Sequence, residues 1–182
     1  AQADDIRRAG AEYASGDAGT LSIAATHTQA RYALPPLLAR FRQEYPRVRL
    51  RLHQGNPEQV GTMVAHGEAV FGLATEALDR NPSLQTIQAY RWRHCVVVPR
   101  GHPLAASGIS ELAQLAEWPL ITYSPEFAGR RNIDLAFAQR RIVPDIVLEA
   151  IDSDVIKTYV ALGFGIGLIA GIAYDTERDR EL

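Results

Sequence analysis

Three short apolar runs, residues 20–25 (TLSIAA), 48–53 (VRLRLH) and 69–74 (AVFGLA), alternate with two stretches of helical spacing, and this alternation admits few folds. A strand that returns through a helix to a neighbouring strand lies parallel to it, and the crossover is right-handed. The three runs therefore imply one parallel sheet with helices on its faces. The first helix carries Leu34, Leu37, Leu38, Phe41 and Tyr45 at helical spacing and stops at Pro46. The second starts with Pro57 in its first turn, carries Val60, Met63 and Val64, and ends before Gly67. Residues 48–53 alternate strictly, which predicts a half-exposed strand with Val48, Leu50 and Leu52 inward.

Residues 75–82 (TEALDRNP) are polar and rich in turn formers, the expected crossing between two lobes. Beyond them, residues 84–90 and 94–99 read as strands, and 110–116 as a short helix capped by Ser110. Residues 119–123 form a strand, 124–129 a loop, and 130–140 a helix with Ile133 and Phe137 inward. A strand at 145–149, a helix at 153–162 stopped by Gly163, and a strand at 165–170 complete the series. The second half repeats the layered logic of the first. The expected class is α/β, with two lobes and a cleft where strand ends and helix starts converge. Residues 4–14 have helical spacing through Ile6, Ala9 and Tyr13, and the polar tail at 173–182 is expected to fray.

Composition narrows the function classes. The 19 Lys plus Arg against 21 Asp plus Glu leave a formal charge of -2, which gives no overall field for a polyanion, so DNA contact would need another segment. A single cysteine excludes an internal disulfide framework and suits a reducing compartment. No apolar stretch reaches membrane-spanning length and the first residues carry no signal-peptide pattern, so the expected location is the cytoplasm, with no membrane partner. The arginines at 47, 49, 51, 91 and 93 read as a solvated face, or as an intersubunit or ligand-facing patch.

The sharpest local feature is Thr26-His27-Thr28-Gln29, a loop between a buried strand and a helix. Helix starts expose unpaired backbone N–H groups, and hydroxyl and amide side chains add donors around an anion. Nothing in the loop is acidic, so a small anion or carboxylate would be held there without a lysine; the alternative is that Thr28 caps the helix and Thr26 fills a turn. Thr75 falls at the carboxyl end of the third strand, on the same side of a parallel sheet as Thr26. Trp92 either walls an organic ligand or packs between lobes, and Arg130 or Arg131 either faces anionic substituents or is solvated.

Enzyme chemistry finds little support. His27, His53, His66, His94 and His102 fit no HExxH or Cys/His metal spacing, and His94 and Cys95 point to opposite faces of a strand. No Gly-x-Ser-x-Gly elbow occurs, and the glycines at 163, 165 and 167 follow a helix and enter a strand, the reverse of the dinucleotide-binding order. No cofactor is expected.

In the stretches TLSIAATHTQARYALP at 20–35, FRQEYPRVRLRLHQGNPEQV at 41–60, FGLATEAL at 71–78 and SDVIKTYVALGFGIGLIA at 153–170, the chain resembles the effector-binding domain of LysR-type transcriptional regulators. The likeness is to the CysB-type branch, which governs sulfate and sulfonate utilisation. It implies a periplasmic-binding-protein-like (type 2) fold of two Rossmann-like subdomains around a cleft. Residues 1–16 would end a linker helix behind a winged helix-turn-helix, with subdomain I at 17–77 and subdomain II at 78–182. The family's chain continues past the point matching Leu182 to close the first lobe. The resemblance also implies an anion held by Thr26, Thr28, Gln29 and Thr75, an inducer cavity lined by Trp92, and a second-lobe loop at Ala128 and Gly129. In a family pattern like F-T-G-R, the threonine is here Ala128, which removes a donor and puts the usual ligand in doubt. The implied effectors are sulfate, O-acetylserine, N-acetylserine or an adenosine phosphosulfate-like compound. The implied partners are further copies, as dimer and tetramer, with DNA met only through the helix-turn-helix. The competing readings are a solute-binding protein for a small anion and an enzyme of acetylserine or sulfate.

Overall fold

Strand β1 (Gly19–Ala25) sets the frame of the first half, because its side chains alternate between two faces and each face meets a different helix. The computed structural model describes residues 18–75, 78, 81–109, 111–127 and 129–182; the expected helix at 4–14, the Ser110 cap and Ala128 lie outside the described residues. The chain divides into two units, Ala1–Gln85 and Thr86–Leu182.

In the first unit β1 lies between β2 (Val48–Gln54) and β3 (Phe71–Leu73), all parallel, as the alternation requires. Ile23 and Ala25 point to the face covered by α1 (Leu34–Glu44), where Ala30 and Leu34 close a small core joined by Leu21, Leu38 and Leu73. Ala24 points the other way, to α2 (Pro57–Ala65), and packs with Val60 and Ala69. Burial of Ile23, Leu34 and Val60 contributes about 1.5–3 kcal/mol each. Gly72 lets α2 lie close on the sheet, since a Cβ there would stand 2.7 Å from Val60 Cγ1. α2 opens on a capping box: Gln59 N donates to Asn56 Oδ1 at 2.8 Å and Asn56 N to Gln59 Oε1 at 2.9 Å. Leu78, within the predicted crossing, packs against the Ala24–Val60 core.

One expectation fails in this unit. Leu50 and Leu52 are 36% and 41% exposed rather than inward. Their register with Leu21 and Ile23 places them on the α1 face, but β2 is an edge strand and α1 packs over β1, leaving that edge uncovered.

The second unit holds a four-stranded sheet in the order β4 (His94–Val97), β7 (Ile166–Ala170), β5 (Leu120–Tyr123), β6 (Ile146–Ala150). β4 runs antiparallel to β7, and the other pairs are parallel. All four residues of β5 are buried, as suits an interior strand covered on both faces. Its polar atoms are satisfied internally: Thr122 Oγ1 donates to Leu168 O at 3.2 Å, and Tyr123 Oη lies 2.6 Å from Ser153 Oγ and accepts from Ala170 N at 2.8 Å. Around the sheet stand α3 (Pro103–Ser107), a 3-10 turn at Leu112–Glu117, α4 (Arg130–Gln139) and α5 (Ser153–Ala161). Ile133 and Phe137 of α4 are buried as expected.

Three local expectations are corrected here. Residues 84–90 form no strand: Leu84 and Tyr90 would share one strand face and Ile87 the other, so no continuous apolar face results, and Ile87 is 85% exposed. The predicted helix at 110–116 is the shorter 3-10 turn, held by a capping box between Glu111 and Gln114. The tail does not fray, because buried Lys157 donates to Asp179 at 2.9 and 3.1 Å and Arg100 N donates to Glu181 O at 2.9 Å.

Candidate functional site

At the carboxyl end of β1 the backbone turns from strand to helix within one residue. Thr26 N donates to Leu73 O at 3.2 Å, which ties this point to the end of β3, while Thr26 O accepts from Ala30 N at 2.9 Å. Residues 27 and 28 are already helical, and Thr28 has φ -60° and ψ -41°. The predicted four-residue loop is thus a one-residue corner. Thr28 makes no side-chain capping bond, so its hydroxyl is not consumed by the helix.

A π turn, Gln29–Ala33, precedes α1, and Leu34 N reaches back five residues to Gln29 O. Pro35 and Pro36 follow, and neither has an N–H to give an α ladder. The wide turn sits against that gap and belongs to a class of irregularity that recurs at binding sites. The proline pair was the sequence signal for it.

Thr26 and Gln29 are buried and Thr28 half-buried. The Oγ1 atoms of Thr26 and Thr75 are both buried without a hydrogen-bond partner, at the same carboxyl end of one parallel sheet. Leaving such a group unsatisfied costs about 1–3 kcal/mol, so two at one end of the sheet call for a bound water or a ligand atom as partner. No carboxylate side chain lies in residues 20–35, so an anion meets no repulsion from this segment. His53 Nε2, near the end of β2, is a further buried atom without a partner, which sequence reading passed over as one position in an alternating strand.

In the second unit, Trp92 and Gly129 come together although 37 positions apart in sequence (129 minus 92). The Trp92 ring stands edge-on to His94, centroids 4.9 Å apart and planes at 69°. Gly129 begins α4 with φ +95°, a left-handed value that favours glycine. Arg130 is not available to a ligand: its guanidinium donates to Asp134 Oδ1 at 2.7 Å, to Tyr123 O at 2.7 Å and to Glu149. Those bonds, with the ion pairs they carry, raise its pKa further despite the opposing effect of burial. Burial pushes the Cys95 thiol up, which disfavours its reactive thiolate form. Among the described residues no helix is long and apolar enough to cross a membrane.

Residues 14–182 match the family model of the LysR substrate binding domain. The transcriptional regulator SsuR of Burkholderia cenocepacia is 52% identical over 180 residues, covering 99% of this chain and 58% of that protein. CysB of the same organism is 50% identical over 181 residues, 100% of this chain and 58% of the relative. The crystal structure of the cofactor-binding domain of the Cbl transcriptional regulator superimposes with a TM-score of 0.83 at 49% identity, covering 88% of this chain and 70% of that one. The chain thus spans somewhat over half the length of the curated relatives, which are transcription regulators and not enzymes. A match along nearly the whole chain and a shared periplasmic-binding-protein-like fold lead to one conclusion: the chain belongs to the LysR substrate-binding domain family, with SsuR, CysB and Cbl among its relatives.

Proposed function

We propose that this chain is the effector-sensing part of a transcription regulator of sulfur metabolism, and that it binds a small anion or an acetylserine-like metabolite through Thr26, Thr28, Gln29 and Thr75. The observation that carries the reading is the pair of buried, unpartnered hydroxyls on Thr26 and Thr75 beside the start of a helix. Hydroxyls and helix-start amides hold an anion without a cation, which fits a sulfate or a carboxylate rather than a polyphosphate. Trp92, Ala128 and Gly129 are proposed to meet the organic part of the effector. The compounds that fit are sulfate, O-acetylserine, N-acetylserine and an adenosine phosphosulfate-like molecule.

A ligand moves a conformational equilibrium only by its difference in affinity for the two states, and in the whole regulator that difference would reposition DNA-binding segments. The proposed setting is the cytoplasm, in a homotetramer built from paired domains. Exposed Leu50 and Leu52 on edge strand β2, and exposed Val147 on edge strand β6, are apolar edges of the kind that a second copy covers.

Calorimetric titration of the protein with those four compounds tests the reading, with Thr26→Val and Thr75→Val as variants. Valine keeps the shape and removes the orphaned hydroxyl. The expected outcome is binding of at least one compound, weakened about tenfold or more in each variant, a loss of about 1.4 kcal/mol. The melting temperature of the free variants should hold or rise, because a buried unsatisfied group has gone. Unchanged affinity in both variants, or no binding by folded wild type, would overturn it.

A further inference from the structure

Trp92, His94 and Gly129 form one packed cluster in the second unit. His94 Nε2 is buried and has no hydrogen-bond partner. What it faces is the backbone of Gly129, where a Cβ would collide with Nε2 and come within 3.4 Å of Trp92 Cη2. Gly129 cannot retreat without disturbing α4, since Gly129 O accepts from Ile133 N at 3.0 Å in the first turn of that helix. A bare ring nitrogen over a Cα–H is a weakly favourable contact. An N–H there would have no acceptor.

Among the described residues, His94 Nε2 has no hydrogen-bond partner on any neighbouring element. On α4, Arg130 is turned to Tyr123 O, Asp134 and Glu149, and it takes up the carboxylates of Asp134 and of Glu149 on β6. On β7, paired to His94 through Ala170, no residue is charged. On the same chain segment, Arg93 and Cys95 alternate to the opposite face.

We propose that His94 is the positioning residue for Trp92 and for the start of α4, and that it does this only as the neutral imidazole, so the second unit's contact with an effector's organic part is lost on acidification. The inference deepens the effector reading and rests on it for the role of Trp92. Burial alone lowers the His94 pKa from 6.5, so the side chain is neutral at neutral pH. An unfolded chain takes up this proton first, at its higher pKa. The stability of the unit is therefore insensitive to His94 above about pH 6.5 and falls as pH drops below it.

The chain has two tryptophans, and Trp118 stacks edge-on against His102 with ring centroids 4.3 Å apart, so Trp118→Phe isolates the Trp92 signal. In that background, Trp92 emission followed from about pH 8 to about pH 5 should change along a single ionisation with its midpoint below 6.5. Adding His94→Gln should abolish the change. Emission that ignores pH, or that still titrates in the glutamine variant, overturns the proposal. The emission arm needs no effector, so it stands or fails separately from the anion-site reading. In calorimetry, His94→Ala should weaken N-acetylserine about tenfold and leave sulfate affinity within about twofold. Equal loss for both ligands, or for neither, overturns the positioning role.

Discussion

Lys157 is the side chain on which the end of the chain depends. Its side chain is 8% exposed, and its ammonium lies 2.9 and 3.1 Å from the Asp179 carboxylate, 3.2 Å from Asp154 Oδ1 and 2.9 Å from Ala173 O. Lys157→Met would leave Asp179 largely buried without this cation, which costs about 3 kcal/mol or more. The urea midpoint should fall with an unchanged slope, since the surface exposed on unfolding stays the same. A midpoint equal to wild type would mean that solvent already screens the pair. In the sequence Lys157 is only one position of the helix at 153–162, because its partner Asp179 lies 22 positions away. Arg130 was half legible: Asp134 four residues on is a readable helix pair, but Glu149 and Tyr123 O come from other elements. Thr26 and Thr75 were legible because the parallel sheet fixes which strand ends meet, a rule that works from spacing alone.

At the scale of elements, α2 offers a test of local encoding. Its start depends on the reciprocal bonds between Asn56 and Gln59, with Pro57 filling the first position where no N–H is needed. Asn56→Ala removes one half of that box and should cost about 1 kcal/mol, seen as a lower urea midpoint, while the anion affinity proposed for Thr26 and Thr75 should be unchanged. Loss of anion binding in this variant would mean that α2 shapes the site and does not merely support its sheet. Most elements were legible to within a residue or two, since strand and helix periods are written in the chain itself. What escaped depends on neighbours. The alternation of β2 told which face Leu50 and Leu52 occupy, but not that α1 stops short of covering them. The apolar residues at 84–90 suggested a strand, yet their spacing of three splits them between two faces and leaves Ile87 and Tyr90 exposed. The π turn before Pro35 escaped a helical spacing that starts only at Leu34, although the proline pair carried its signal.

At the scale of the whole molecule, the alternating pattern led to the fold class, because parallel pairing through helices leaves little choice. The two sheets are not equal in protection, and that inequality is measurable. β5 lies inside its sheet with every residue buried, and all five residues of β7 are buried as well. β2 pairs along one edge only and is largely exposed. Amides of an interior strand exchange through global opening, whereas those of an edge strand exchange through local fraying. Hydrogen exchange should therefore protect the bonded amides of β5 and β7 at least about a hundredfold more than those of β2, a gap of about 2.7 kcal/mol. Comparable protection of β2 in a dilute sample would mean that the edge is held within one chain, by something the exposed Leu50 and Leu52 do not show. Protection of β2 that appears at high protein concentration and falls on dilution would instead place a second copy on that edge, as the proposed pairing of domains requires.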